Sequence, residues 1–207
     1  MRPGSRRPII DVAQSWNRLA GSWVPQDAER RGSVNQVGYV QRICNDQNKI
    51  DRLLKQAPTG VLGMVDGSYP YVVPLNFIWS NGFIYIHGMG SGKREQILPR
   101  NPQVCFTVFK EMGTVTDPMP CHADTAYISV MLFGRAERVT DSAEAASVLQ
   151  MLVEKYLPGY YNSALTSSLL EKYRSTLDGN GVAVYRIIPE EITAKENEVA
   201  GKLLFEK

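Results

Sequence analysis

Residues 69–94 read YPYVVPLNFIWSNGFIYIHGMGSGKR. The stretch holds apolar residues at strand spacing, a two-residue turn, a histidine and a glycine-rich basic loop. Asn81-Gly82 is a strong hairpin signal, because both residues tolerate the positive φ that a tight turn between twisted strands needs. It joins an apolar strand over 69–79 to a second strand over 83–87. Pro70 and Pro74 lack an N–H for a ladder, so they predict an edge, bulge or break in the first strand. The loop that follows can hold an anionic phosphate close to a sheet.

Working outward, the period changes from about 3.6 before residue 58 to about 2 after it. DQNKIDRLLKQA (46–57) predicts a helix with Ile50, Leu53 and Leu54 on one face, Asp46 as its cap and Pro58 just past its end. GVLGMVD (60–66) predicts a strand, turned into the next by Asp66-Gly67. KREQIL (93–98) can make one short helix. VCFTVFK (104–110) predicts a strand, 111–123 a Pro-containing loop, and TAYISVMLFGRAERV (125–139) a long strand that Gly134 bends. Short connections imply antiparallel neighbours, and closing the sheet into a barrel would protect its edges. Asp141 and Glu144 fit a capping box. The helix behind it carries Ala145, Val148, Leu149, Leu152, Val153 and Tyr156 inward until Pro158-Gly159 stops it. A further helix over 166–177 would turn Leu169, Leu170, Tyr173 and Leu177 inward. VAVYRII (182–188) is the last clear strand, followed by a charged tail. Residues 1–38 read as a partly flexible extension with one short helix carrying Trp16 and Trp23.

The 207 residues are enough for one sizeable core. With 23 Lys and Arg against 21 Asp and Glu, the charge is too balanced to call for nucleic acid. No apolar run nears the roughly 20 residues that cross a bilayer, and the start lacks a secretory apolar segment. Cys44, Cys105 and Cys121 are odd in number and form no CxxC pair, which fits a reduced, cytoplasmic setting. Cys105 in its apolar strand reads as a small hydrophobe rather than a nucleophile.

The chemistry-bearing residues gather around the quoted stretch. Gly88, Gly90 and Gly92 allow close backbone approach, and Ser91, Lys93 and Arg94 add a hydroxyl and two cations suited to phosphate oxygens. The pattern is neither a Walker loop nor a dinucleotide fingerprint; a surface turn with solvated charges is the plain alternative. His87 stands just before the loop. Only two histidines exist, and His122 beside Cys121 makes no tetrahedral set, so no metal site is expected. Asn76 is the polar exception in an apolar run and either bonds a planar ring edge or is a satisfied amide. Tyr127 and Ser129 share one strand face. Redox chemistry without a metal needs an organic cofactor.

GVLGMVDGSYPYVVPLNF, FIYIHGMGSGKREQILPRNPQVCFTV and AYISVMLFGRAERV, in this order, make residues about 40–195 resemble the pyridoxamine 5′-phosphate oxidase-like, FMN-binding split-barrel superfamily. The 5-nitroimidazole-resistance (Nim-like) flavoproteins are the most similar branch. The resemblance implies a mainly β fold with flanking helices, a six-stranded antiparallel split β-barrel over 39–195, with the extension 1–38 before it and a tail 196–207 after it. It implies a homodimer with FMN at the subunit interface. Val73, Pro74, Leu75, Asn76 and Phe77 would line the isoalloxazine. His87, Ser91, Gly92, Lys93 and Arg94 would surround the ribityl phosphate, with His87 near the reacting centre as the candidate catalytic residue. Tyr127 and Ser129 match the family's Y-x-S-V strand at the flavin cleft. The implied activity is an FMN-dependent oxidoreductase acting on a small organic substrate, such as a nitroaromatic, with NAD(P)H as donor. The alternative is a non-catalytic flavin- or haem-binding barrel. The ending KENEVAGKLLFEK departs from the arginine-histidine ending of enzymes that oxidise vitamin B6, and KEMGTVTDPMPCHAD is an insertion placed to shape the substrate side.

Overall fold

A computed structural model describes residues 37–198 and 204–206; the helix expected around Trp16 and Trp23 lies outside the described residues. The first helix, α1 (Gln47–Gln56), starts where Asp46 accepts hydrogen bonds from the N–H groups of Asn48 and Lys49, at 2.9 and 3.2 Å. It buries Ile50, Leu53 and Leu54. The strands are β1 (Gly60–Asp66), β2 (Tyr69–Leu75), β3 (Phe77–Ser80), β4 (Phe83–Met89), β5 (Gln103–Val115), β6 (Asp124–Arg138) and β7 (Val182–Asn197). Between them lie α2 (Lys93–Ile97), α3 (Ser142–Tyr156) and α4 (Ser167–Lys172). Among the described residues no helix is long and apolar enough to cross a membrane.

All seven strands form one antiparallel sheet in the order β2-β1-β5-β6-β7-β4-β3. The strand expected over 69–79 is therefore two, which raises the count from six to seven. Asn76 alone separates them, yet β2 and β3 are the opposite edges of the sheet. A flat sheet of this width would hold its edge strands about 29 Å apart at roughly 4.8 Å per neighbour. The Cα atoms of Leu75 and Phe77 can be no more than about 7.6 Å apart. The sheet must therefore curl until its edges meet at this corner. The chain itself joins the two edges there, with no ladder between β2 and β3 to close the sheet. Both prolines of 69–79 lie on the edge strand β2, where a missing donor costs nothing.

The hairpin at Asn81-Gly82 forms as expected, with φ of 52° and 80°. Gly134 marks a register shift in β6, and a Cβ there would lie 2.0 Å from the carbonyl oxygen of Ile188. Only glycine lets the two strands approach so closely. Strand β4 pairs with β7 rather than β5, so the long-range ladders depart from a simple order of neighbours. Strand β5 runs on through residues expected to be loop. Residues 111–115 pair with 124–127 across a bulge at Glu111/Gly113, leaving a shorter loop with a 3-10 turn at Pro120–His122. Strand β7 continues to Asn197, past Pro189 at a bulge, and Leu204 bridges to Val115.

The core fills the curl. Phe77, Phe106, Leu62, Ile84, Ile86, Val130, Leu132 and Ile187 are fully buried there with the apolar face of α1. Helix α3 packs Val148 and Leu152 on Ile78, Tyr85 and Val184, outside the curl. Asp141 caps it as expected, but Glu144 accepts bonds from Arg186 and Tyr85. Helix α4 is shorter than 166–177 and buries nothing. Leu169 and Tyr173 are about half exposed, and Leu177 is 83% exposed, so the inward face expected there is absent. Cys44 is buried, Cys105 half-buried and Cys121 exposed, all as free thiols.

Candidate functional site

At the β2–β3 corner the side chains alternate. Val73 and Leu75 pack on the core, while Pro74 and Asn76 face outward and are exposed. Phe77 is wholly buried, 5.2 Å edge-on from Phe106, so it offers no surface to a ring. A corner outside any ladder must find other partners for its amides. The end of α3 supplies them. The Phe77 N–H donates to Tyr156 Oη (3.0 Å), the Tyr156 hydroxyl donates to the Pro58 carbonyl (2.7 Å), and Lys155 Nζ donates to the Phe77 carbonyl (3.0 Å). The Lys155 ammonium also sits 4.2 Å over the Phe77 ring, and burial pushes its pKa down to about 8. Sequence reading placed Tyr156 on an apolar helix face and passed over Lys155. The signal available was their position in the last turn before Pro158-Gly159.

His87 lies in β4 one residue past the Phe77↔Ile86 pair, level with Asn76. His87 is exposed, yet partial loss of hydration, and then the Arg94 cation, lower its pKa from the ordinary 6.5. Lys93 is half exposed; its Nζ is 3.0 Å from Asp66 and 5.0 Å from the centre of the Tyr71 ring. A Cβ on Gly92 would meet open space. Ser91 Oγ donates to Asp178 at 2.6 Å. Asn76 and His87 thus share the corner, and the loop that follows His87 carries Ser91, Gly92 and Lys93 on to Asp66, at the end of β1 away from that corner.

Arg94 turns the other way. Its side chain is 13% exposed, donates to the His87 carbonyl at 3.4 Å and lies 5.7 Å from the Tyr185 ring centre. Gly88 makes this possible, since a Cβ there would be 2.4 Å from Arg94 Nη2. Its Nε lies 3.6 Å from Glu95 Oε1, and neither atom has a hydrogen-bond partner. Glu95 also accepts from Tyr185 at 2.9 Å and from Arg138. In this arrangement Arg94 ties the loop to β7 rather than facing outward.

Tyr127 and Ser129 are elsewhere. They project from the outer face of β6, opposite Asn197 and Lys195 of β7. The β7 residue opposite His87 is Val184. At roughly 3.3 Å per residue the two groups are about 36–43 Å apart along β7. One chain therefore does not bring them together. Between the two groups stretches an outer sheet face with Val61, Val65, Val72, Phe109, Met131 and Phe133, on which no described helix packs. Two cavities lie away from the loop: one of about 560 Å³ between α3 and α4, and one of about 530 Å³ between α1 and the inner row Lys110, Ile128 and Glu196. Among the described residues no cluster of three metal-binding side chains exists.

The family model for pyridoxamine 5′-phosphate oxidase matches residues 46–196, which include both groups of residues and every strand but the last residue of β7. The chain belongs to the pyridoxamine 5′-phosphate oxidase family. Its fold is shared with the flavocytochrome Anf3 of Azotobacter vinelandii (TM-score 0.65, 24% identity, 80% of this chain and 73% of that one). It is shared with a candidate 5-nitroimidazole antibiotic resistance protein of Bacteroides thetaiotaomicron (0.57, 25%, 74% and 85%). A FAD- and haem-binding protein of Mycobacterium smegmatis is similar as well (0.62, 19%, 76% and 74%). No curated protein matches the chain in sequence.

The residues of this family member can be tested against the flavin that the family's split barrel implies. A ring needs an accessible corner with polar edges, and exposed Asn76, Pro74 and His87 provide one. A phosphate needs donors with room beside them, and Lys93 with the open side of Gly92 provides that. The inward Arg94 does not contribute a free guanidinium. The site fits, with Lys93 as its outward cation.

Proposed function

We propose that the protein is an FMN-dependent oxidoreductase, a homodimer whose two flavins lie in clefts between the chains. The observation that carries the reading is the family match over a chain whose implied cofactor residues fall into two distant sets. A second copy, docked on the uncovered outer face, supplies Tyr127 and Ser129 to the corner and loop of the first. When bound, FMN supplies the hydride or electron transfer. The chain's residues do the rest. Lys93 and Ser91 hold the ribityl phosphate. Asn76 orients the ring edge, and Pro74 and the outer face exclude water from one ring side. His87, neutral at pH 7 because its pKa is lowered, offers a ring nitrogen as proton acceptor or donor beside the reacting edge. The substrate class is a small planar acceptor, a nitroaromatic being the best match, with NAD(P)H as donor; a membrane or nucleic acid has no part.

The test is the absorption spectrum of protein purified without added cofactor, followed by mass identification of the released chromophore and by turnover with NAD(P)H and a nitroaromatic. Bound FMN with turnover is the expected result. A colourless protein that takes up no flavin on titration would overturn the reading. Bound flavin without turnover by any donor and acceptor would leave a binding protein in place of an enzyme.

A further inference from the structure

The turn Asp178-Gly179-Asn180-Gly181 lies far along the chain from the glycine-rich loop, yet the two are joined. A Cβ on Gly90 would fall 2.6 Å from the Gly181 carbonyl oxygen and 2.9 Å from Asn180 Cβ, so the loops pack backbone to backbone. Across that contact Ser91 Oγ donates to Asp178 Oδ2 at 2.6 Å. Asp178 Oδ1 accepts from the Asn180 N–H, and Oδ2 from the Asn180 side-chain amide, both at 3.1 Å. The carboxylate is thus fixed to the loop. The same bonds, that from Ser91 first, hold its pKa down to about 2, so it is ionised throughout the physiological range.

The charges around Ser91 do not describe a plain anion trap. Arg94 points inward. Arg174 Nη1 donates to the carbonyls of Glu171 and Tyr173 at 2.8 and 2.6 Å, which fixes its direction while its charge remains. Lys93 faces out but pairs with Asp66. Lys93 thus stands against one carboxylate and Ser91 against another. A ligand oxygen that accepts from Ser91 must take the place of Asp178 Oδ2 and remain close to its charge.

We propose that Asp178 is a specificity-determining residue of the flavin site, a fixed negative latch on Ser91 that weakens binding of ligands ending in a dianionic phosphate. This rests on the flavin reading given above. The penalty grows with the charge delivered to Ser91. It is largest for FMN, whose terminal phosphate carries about −1.5 to −2 at neutral pH. It is smaller for FAD, whose charge is divided between two phosphorus atoms joined by an anhydride, and absent for riboflavin.

The experiment titrates wild type and Asp178→Asn with FMN, FAD and riboflavin by flavin fluorescence, and with inorganic phosphate by calorimetry. Asparagine keeps an acceptor for Ser91 and for the Asn180 N–H and removes only the charge. The expected result is FMN binding tighter by about fivefold or more, from a unit charge about 5 Å away in a solvated site. FAD gains less, riboflavin is unchanged, and inorganic phosphate binds more tightly. FMN binding that is unchanged or weaker in a variant with wild-type melting temperature would overturn the proposal, as would equal gains for all three flavins. If the variant does not fold, Asp178→Ser, which also removes the charge, is titrated in its place, and unchanged or weaker FMN binding would overturn the proposal. If wild type binds no flavin, the flavin reading fails, and the phosphate titration of the two proteins still decides the role of Asp178.

Discussion

Lys93 and Arg94 are neighbours of the same charge with opposite tasks. Lys93 makes an exposed ion pair, and such pairs are worth about 0–1 kcal/mol. Lys93→Ala should therefore leave the melting temperature nearly unchanged while weakening FMN binding, as read by thermal unfolding and flavin titration. Arg94 is enclosed with Glu95, and its loss leaves a buried carboxylate with only Arg138 and Tyr185 as partners. Arg94→Ala should cost about 2 kcal/mol of stability, measured by chemical denaturation. The sequence shows two cations and a run of glycines but not that Gly88 opens a space for Arg94 to fold inward, because that space depends on β7. His87 carries a separate prediction. Its folded pKa lies below 6.5, so the unfolded chain binds the proton first. Its contribution to stability is complete above 6.5 and is lost as pH falls through the folded pKa. Proton NMR should show its ring titrating below 6.5.

Helix α3 shows what an element does beyond filling the core. Its last turn satisfies the corner at Asn76 through Tyr156 and Lys155. Tyr156→Phe leaves the Phe77 N–H and the Pro58 carbonyl without that partner and should cost about 2 kcal/mol, with looser flavin binding as the corner relaxes. Lys155 has a folded pKa of about 8, below the ordinary lysine value, so the unfolded chain holds more protons above pH 8. Stability should rise with pH from about 8 to 9.5, and Lys155→Met should flatten that rise, measured as the denaturation midpoint against pH. Elements with local signals were legible: the Asn81-Gly82 hairpin, the Asp46 and Asp141 caps, and the bend at Gly134. Elements decided by distant partners were not. The break at Asn76 exists because the chain crosses from one sheet edge to the other. Residues 111–115 and 189–197 are strand because they pair with β6, despite their charges and Pro189. The spacing of Leu169, Tyr173 and Leu177 suggested an inward helical face, yet those side chains have nothing described to pack on.

On the scale of the whole molecule, the curl of the sheet leaves one face inside and, away from α3, a part of the outer face bare of any described helix. Phe109, 62% exposed in the middle strand of that bare face, is a large apolar group without cover. Phe109→Glu should place a charge in the proposed interface, giving monomers by analytical ultracentrifugation and at least a tenfold loss of FMN affinity, about 1.4 kcal/mol or more. The family and the barrel were legible because three separated segments fall in the family's order. The distance of Tyr127 and Ser129 from His87 within one chain was not, because it depends on the register of β7 against β4 and β6. The most direct test is size-exclusion chromatography with in-line light scattering and visible absorbance on protein loaded with FMN. The expected result is flavin absorbance travelling with a particle of twice the chain mass, at one FMN per chain. A monomer that retains FMN, or a dimer that elutes without it, would contradict it.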